Sequence, residues 1–394
     1  MLTVSLIFAV ANVGDDAASL RLPLSRATLL RDSGGWFQWE GEVVAKAGAS
    51  LVQLPRSVDV STISIERTEG ADRRLLDFSI PPTEVNSAPH SNAAGSHRDG
   101  NLVLSVSIPD DAKSAKLRIR AFSNALKWRP TYALELDKDP RLSMRALVEV
   151  AHATTEDAVL ECIASSATPR GGETEHWSDA TVYPLTAKRL GRGTSSLLLF
   201  DGPAEIEEFV AVELGGMAGE PGVKPVRDRS VSMLRLSNRT TKAWPSGELL
   251  VMKDGRLIAR VTLPHTNAGQ AAEIPLGTAV GVAVSRDEVE LERKTAVVRR
   301  ETDPPDSIQT AGSATISNFT GRTMMIRATK SVAGDATAAS DDAKIVRTPN
   351  RVGTDQPLNE IRWNFSLPAG QSKRLTYGTM IRLSPPSEAK DLRP

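Results

Sequence analysis

The densest set of metal-ligating side chains lies in Gly171-Gly172-Glu173-Thr174-Glu175-His176-Trp177-Ser178-Asp179. Carboxylates and an imidazole crowded into so short a segment can coordinate a divalent cation, because hard oxygens and a neutral nitrogen satisfy it together. Glu173, Glu175, His176 and Asp179 are therefore the candidate metal ligands. The plainer reading, a loop whose Trp177 anchors it to a sheet, is the one adopted, so no metal and no cofactor is expected.

Other reactive residue types lack the company that chemistry needs. His90 and His97 flank a polar loop without metal-site spacing. No His-Glu-x-x-His and no Gly-x-Ser-x-Gly occurs, so neither a zinc protease helix nor a nucleophile elbow is present. The glycines of Leu190–Thr194 and Gly215–Gly219 are not followed by a helix that could receive a phosphate. Cys162 is the lone cysteine; within Val159-Leu160-Glu161-Cys162-Ile163-Ala164 it reads as a small buried hydrophobe on a strand. Asp15-Asp16, Asp110-Asp111 and Asp341-Asp342 read as solvated turns. Asn238-Arg-Thr, Asn318-Phe-Thr and Asn364-Phe-Ser match the glycosylation pattern, yet read more simply as asparagines at strand ends. No catalytic residue is assigned.

Composition narrows the partners. Lys plus Arg and Asp plus Glu both total 48, so the chain lacks the basic excess that neutralises phosphates, and no nucleic-acid partner is expected. Hydrophobic residues form 40% and aromatics 4%, which demands cores built from Val, Leu, Ile and Ala. At 394 residues the chain exceeds one ordinary core.

The elements that must position any site are strands. Leu102, Leu104, Val106 and Ile108 fall on one face of a period-two pattern, as do Ile361, Trp363, Phe365 and Leu367. Glu248 to Met252 and Leu257 to Leu263 flank Asp254-Gly255, a hairpin turn pair. Pro368-Ala369-Gly370-Gln371 joins Ile361–Leu367 to Leu375–Ile381. No capped amphipathic helix of length is found. The expected fold is all-β: tandem antiparallel β-sandwich domains with long loops and little helix. Residues 1–19 are read as a signal peptide, with Ala9-Val10-Ala11 as its small-x-small site. Residues 20–190 are read as an N-terminal β-sandwich with a flexible loop at 81–100, residues 191–300 as a middle β domain and residues 301–388 as a C-terminal β domain. No segment is long and apolar enough to be a transmembrane helix.

The pattern Trp128-Arg129-Pro130-Thr131-Tyr132-Ala133-Leu134 resembles a bacterial group of uncharacterised proteins related to mucoidy inhibitor A. The stretches Gly41–Asp59 and Thr155–Pro169 are similar to other parts of that group, as is the tail Ile361–Tyr377. Its Trp after Glu-Asp is Ala158 here, and its coiled-coil segment has no counterpart beyond the loop at 81–100. The resemblance implies exported β-sandwich domains and brings no catalytic residues. Trp128, Pro130 and Tyr132, its most family-like positions, are expected to pack a sheet corner; a sugar-stacking platform is the rival.

These readings together lead to a non-catalytic binding or scaffolding protein of the bacterial cell envelope or periplasm, with a protein or an envelope glycan as its partner. The alternatives are a carbohydrate-binding or hydrolytic enzyme and a divalent-cation-binding β domain.

Overall fold

The computed structural model describes residues 19–46, 48–69, 75–81, 101–108, 113–151, 155–156, 158–164, 181–185, 189–190, 192–215, 228–294, 307–340, 343–348 and 358–382. The fold is all-β, as the period-two patterns require; the single helical element among the described residues is a short 3-10 turn at Val60–Thr62. Among those residues no helix is long and apolar enough to cross a membrane. The candidate metal segment 171–180, His90, His97, the 81–100 loop beyond Pro81 and the proposed signal segment up to residue 18 lie outside the described residues.

The described residues form two compact units and the chain passes between them repeatedly: the first holds those within 1–133, 142–202 and 245–248, the second those within 134–141, 203–244 and 249–394. In the first unit a six-stranded sheet runs in the order Thr181–Leu185, Val159–Ala164, Leu24–Leu30, Gly34–Val44, Ser114–Ser123, Ser64–Arg67. The pair Val159–Ala164 and Leu24–Leu30 is parallel and the other pairs of this sheet are antiparallel. A four-stranded sheet places Ala49–Pro55 against Asn101–Ser107. Alternation decides burial: Val52, Leu54, Leu102, Leu104 and Val106 are buried, as are Leu117, Ile119 and Ala121 across from Phe37 and Trp39. The opposite face of the large sheet carries Arg118, which bonds Glu40 across the strand pair and stands 3.6 Å from Glu66.

The second unit is a β-sandwich. Its six-stranded sheet runs Ala271–Thr278, Arg229–Ser237, Glu205–Leu214, Met324–Ala333, Leu358–Leu367, Lys344–Thr348, and its four-stranded sheet runs Val282–Lys294, Ser307–Asn318, Ser372–Arg382, Asp335–Ala339. Val210, Val212, Ile326, Ala328, Ile361 and Trp363 from the first sheet meet Val282, Ala314, Ile316, Leu375 and Tyr377 from the second in one core. Ser307–Asn318 shows the logic at its cleanest, with every second residue from Ile308 to Asn318 buried. Segments on both sides of residue 300 fill this single core, and Glu205–Leu214 lies parallel beside Met324–Ala333. The division at residue 300 read from charge and proline runs is therefore not a break in packing. A parallel pair between strands so far apart in the chain leaves no local sequence mark.

A repeated corner organises this unit. Arg229–Ser237 and Ser307–Asn318 each end in Ser-Asn-x-Thr and lead to strands of another sheet. Each later pairs antiparallel with a strand that follows Ala-Gly-Gln, in matching register: Ser237 with Ala271, Ser317 with Ser372. Pro368–Gln371 thus joins strands of two different sheets, so the link read between Ile361–Leu367 and Leu375–Ile381 is a sheet-switching corner. The Asp254-Gly255 hairpin is as read, with φ of 50° and 70° at the two turn residues, the left-handed pair that such a turn requires.

Candidate functional site

In the strand Leu126–Glu135 the alternation turns Trp128, Pro130 and Tyr132 inward. Trp128 is 1% and Tyr132 2% exposed. The Tyr132 hydroxyl donates to the Pro245 carbonyl at 2.7 Å, and Trp128 lies 6.4 Å from Tyr183, ring centre to ring centre. Gly247 lies so close that a Cβ there would stand 2.5 Å from the Pro130 carbonyl oxygen. Stacking on a sugar needs an open ring face, and neither buried ring offers one; the motif packs a junction within the first unit.

The described nucleophiles are withdrawn. Cys162 is fully buried between Leu29 and Tyr183 on neighbouring strands, and burial pushes its thiol pKa up, away from the reactive thiolate. Tyr132, Tyr183 and Tyr377 are the three tyrosines of the chain; all are buried, and desolvation raises each phenol well above its ordinary value. His265 is the one histidine among the described residues, and its Nε2 pairs with Asn267 Oδ1 at 3.0 Å. No three His, Cys, Asp or Glu side chains converge on a metal position among the described residues.

The Asn-x-Thr sites are clamps. Asn318 is 1% exposed; its Nδ2 donates to the carbonyls of Arg322, Leu367 and Pro368, while its Oδ1 accepts from the Thr320 amide and hydroxyl. Asn238, fully buried, repeats the pattern with Lys242, Thr266 and Thr240. An amide nitrogen so engaged cannot receive a glycan. Asn364 is exposed in mid-strand.

The strongest electrostatic feature is a chain of charges at one edge of the second unit's core. Lys330 Nζ reaches Glu288 Oε1 at 2.6 Å and also donates to the Gly215 carbonyl, and the Tyr377 hydroxyl donates to the same Glu288 oxygen at 2.5 Å. Arg286 Nη1 stands 2.7 Å from Glu288 Oε2, and its Nε donates to Asp228 Oδ1 at 2.9 Å. Two cations and two carboxylates sum to zero. The side chains of Lys330 and Glu288 are each 5% exposed. Burial alone would raise the Glu288 carboxyl, but hydrogen bonds from Lys330 and Tyr377, with the charges of Lys330 and Arg286, hold it below the usual carboxylate range. Burial draws the Lys330 ammonium below its ordinary value, against the pull of Glu288. Arg286 and Asp228 at one end of the chain stay partly exposed, while Lys330 and Glu288 are shut from water, so the group locks strands together rather than meeting a substrate.

The second unit also carries a concavity of about 310 Å³. Its apolar lining includes Leu136, Phe209, Met233, Leu276 and Met324, and its charged lining is Glu208, Lys253 and Arg322. Arg322 Nη2 approaches Glu208 Oε2 to 2.5 Å, and Lys253 Nζ lies 4.0 Å from Glu208 Oε1. Arg322 follows the Asn318 clamp, so the corner that switches sheets also delivers a cation here. Beside it, Arg327 is held over the Phe209 ring at 3.8 Å by Glu207 and Glu273.

No protein-family model matches the chain, and no curated protein matches it.

Sequence reasoning anticipated the strand ends at Asn238 and Asn318 and the buried cysteine, but placed Asn364, which lies inside Leu358–Leu367, at a strand end, and missed the ion chain and the concavity. Both draw residues from strands far apart in sequence, and no local spacing marks them. One legible signal was passed over: Ser-Asn-Arg-Thr followed by Asn-Ala-Gly-Gln, and then Ser-Asn-Phe-Thr followed by Pro-Ala-Gly-Gln.

Proposed function

We propose that the chain is a non-catalytic binding or scaffolding protein of the bacterial envelope. The observation that carries this reading is the neutralisation of reactive groups among the described residues. Nucleophilic catalysis needs a nucleophile and a base within reach of each other and of substrate. Here the thiol and the phenols are buried and protonated, and the buried acids are paired with Arg or Lys. Rigid sheets stapled by closed polar networks suit a protein that presents surface. The resemblance of Trp128–Leu134 to exported proteins related to mucoidy inhibitor A supports the envelope as its place.

Mass spectrometry of the native chain from fractionated cells tests this. A mature chain beginning near Asn12 in the envelope fraction is expected. An intact Met1 in the cytosol would remove the envelope from the reading.

A further inference from the structure

Two turns of the second unit meet at one tip. Val282 pairs with Asn318 where Val282–Lys294 runs beside Ser307–Asn318, and the Phe319 N–H donates to the Gly281 carbonyl at 2.8 Å. A Cβ at Gly281 would stand 2.4 Å from Thr320 Cγ2, so the turns touch. Each leaves one large apolar side chain in water: Val280 is 93% and Phe319 72% exposed. Both are held firmly. Ala279 and Val282 are buried on either side of the Val280 crest, and the Val282 N–H donates to the Ala279 carbonyl at 3.0 Å. Phe319 stands between the clamping Asn318 and the Thr320 that Asn318 holds. The corner itself does not need an apolar residue there. In its other copy, Ser237-Asn238-Arg239-Thr240, the same position is Arg239, which pairs with Glu205. Packing therefore does not account for Phe319, and contiguous exposed apolar groups mark a contact surface.

A narrow projecting tip fits few partners. A stable protein interface takes about 800 Å² per partner with a packed centre, which two side chains do not supply. A bilayer surface closes around an apolar tip of any outline, and a tip already rigid loses little freedom on entering it. Charge agrees. The segments 278–282, 318–324 and 367–373 carry Arg322 and Lys373 and no Asp or Glu. Arg322 is paired with Glu208. Lys373 lies over the Phe365 ring at 4.5 Å, two residues past Gln371, whose carbonyl accepts from the Asn318 N–H. An apolar point with a cationic border matches anionic lipid.

We propose that this tip docks the chain on an anionic membrane surface, with Phe319 and Val280 in the interface and Lys373 and Arg322 at the level of the headgroups. The proposal rests on the binding reading above and names the surface bound.

The test floats the full chain with vesicles of phosphatidylcholine, alone or mixed equally with phosphatidylglycerol. The mixed vesicles are expected to bind more tightly, by about fivefold for each cation engaged. Phe319→Ser is expected to lose about tenfold on both, Lys373→Gln about fivefold on the mixed vesicles alone, and Arg239→Ser nothing. An unchanged thermal midpoint would show that Phe319→Ser folds; should it shift, Val280→Ser carries the comparison. Because Cys162 is buried, a polarity-sensitive thiol dye on Val280→Cys reports the tip, and its emission is expected to rise with vesicles. No flotation at millimolar lipid, flotation that Phe319→Ser leaves unchanged, or a dye that stays dark on floating chain overturns the proposal. So does a dye that brightens with protein concentration without vesicles, which would put a second copy on the tip. Those outcomes leave cross-linking to envelope partners in cells untouched, so this failure and that of the wider reading are distinguishable.

Discussion

Replacing Glu288 by Gln tests the buried ion chain with the least change of shape. The amide can still accept from Tyr377, but it removes the charge that faces Lys330 and Arg286. Lys330 would then keep its ammonium in a position 4% exposed, facing only neutral acceptors, the amide oxygen and the Gly215 carbonyl. Breaking a buried pair from one side costs about 3–5 kcal/mol, whereas removing both charges together is often near neutral. The expected loss for Glu288→Gln is therefore about 3–5 kcal/mol, or about 2–4 °C in melting midpoint per kcal/mol for a unit of this size. Lys330→Met removes the buried cation, while Glu288 keeps Arg286 and Tyr377 and should cost less. The double variant should recover part of the Glu288→Gln loss, since the stranded ammonium is gone. Urea unfolding followed by the NMR signal of the Trp363 indole N–H, which donates to the Ser340 carbonyl at 2.9 Å, reads the unit directly. A loss under about 1 kcal/mol for Glu288→Gln, or strictly additive single and double variants, would refute the reading of one coupled network. Acid should act in the same direction. Because the Glu288 carboxyl sits below its usual range, its contribution is present above about pH 4.3 and is lost as pH falls through the lowered value. The Gln variant should lack that component.

Alkali acts through the tyrosines. Tyr132, Tyr183 and Tyr377 are all raised by burial, so their contribution is complete below the ordinary phenol value and is lost as pH rises above about 10. With three phenols ionising only in the unfolded chain, that loss should approach about 4 kcal/mol per pH unit. Phenolate absorbance should stay silent until the fold collapses, and a gradual titration of any one tyrosine before unfolding would contradict its burial. Asn318→Ala should cost about 2–4 kcal/mol by urea unfolding, because it strands carbonyls of Arg322, Leu367 and Pro368; a neutral result would mean that the corner is held by other contacts. Gly247→Ala should destabilise by about 1–3 kcal/mol, since its Cβ would press on the Pro130 carbonyl. Pro130→Ala, which leaves that carbonyl in place, should not relieve the loss, and full relief would contradict the close backbone approach.

The strands were legible because a half-buried strand writes its two faces alternately into the sequence. Ser307–Asn318 and Asn101–Ser107 do so without a break. The hairpin at Asp254-Gly255 was legible for a related reason: few residue pairs accept two left-handed conformations in succession. Sheet membership was not legible. The tail strands Leu358–Leu367 and Ser372–Arg382 are joined by four residues, which reads as a hairpin, yet Asn318 holds the corner open and sends them to different sheets. The asparagine's type and place were visible in the sequence; its three carbonyl partners, up to fifty positions away, were not. The same limit hid the site residues. Glu208, Lys253 and Arg322 are ordinary charges in their own strands and turns, and become a rim only when the fold brings three separate segments together. Trp128 and Tyr132 stood out by type, but only packing decides between a buried corner and an open platform.

Chemical cross-linking in intact cells, followed by fractionation and mass analysis of the chain, tests the binding reading most directly. The expected result is a set of species heavier than the 42.3 kDa chain, recovered from the envelope fraction with cross-links on described surface lysines such as Lys116 or Lys344 and a defined partner at stoichiometric yield. A chain recovered from the cytosol at its own mass, with no cross-linked partner, would contradict it.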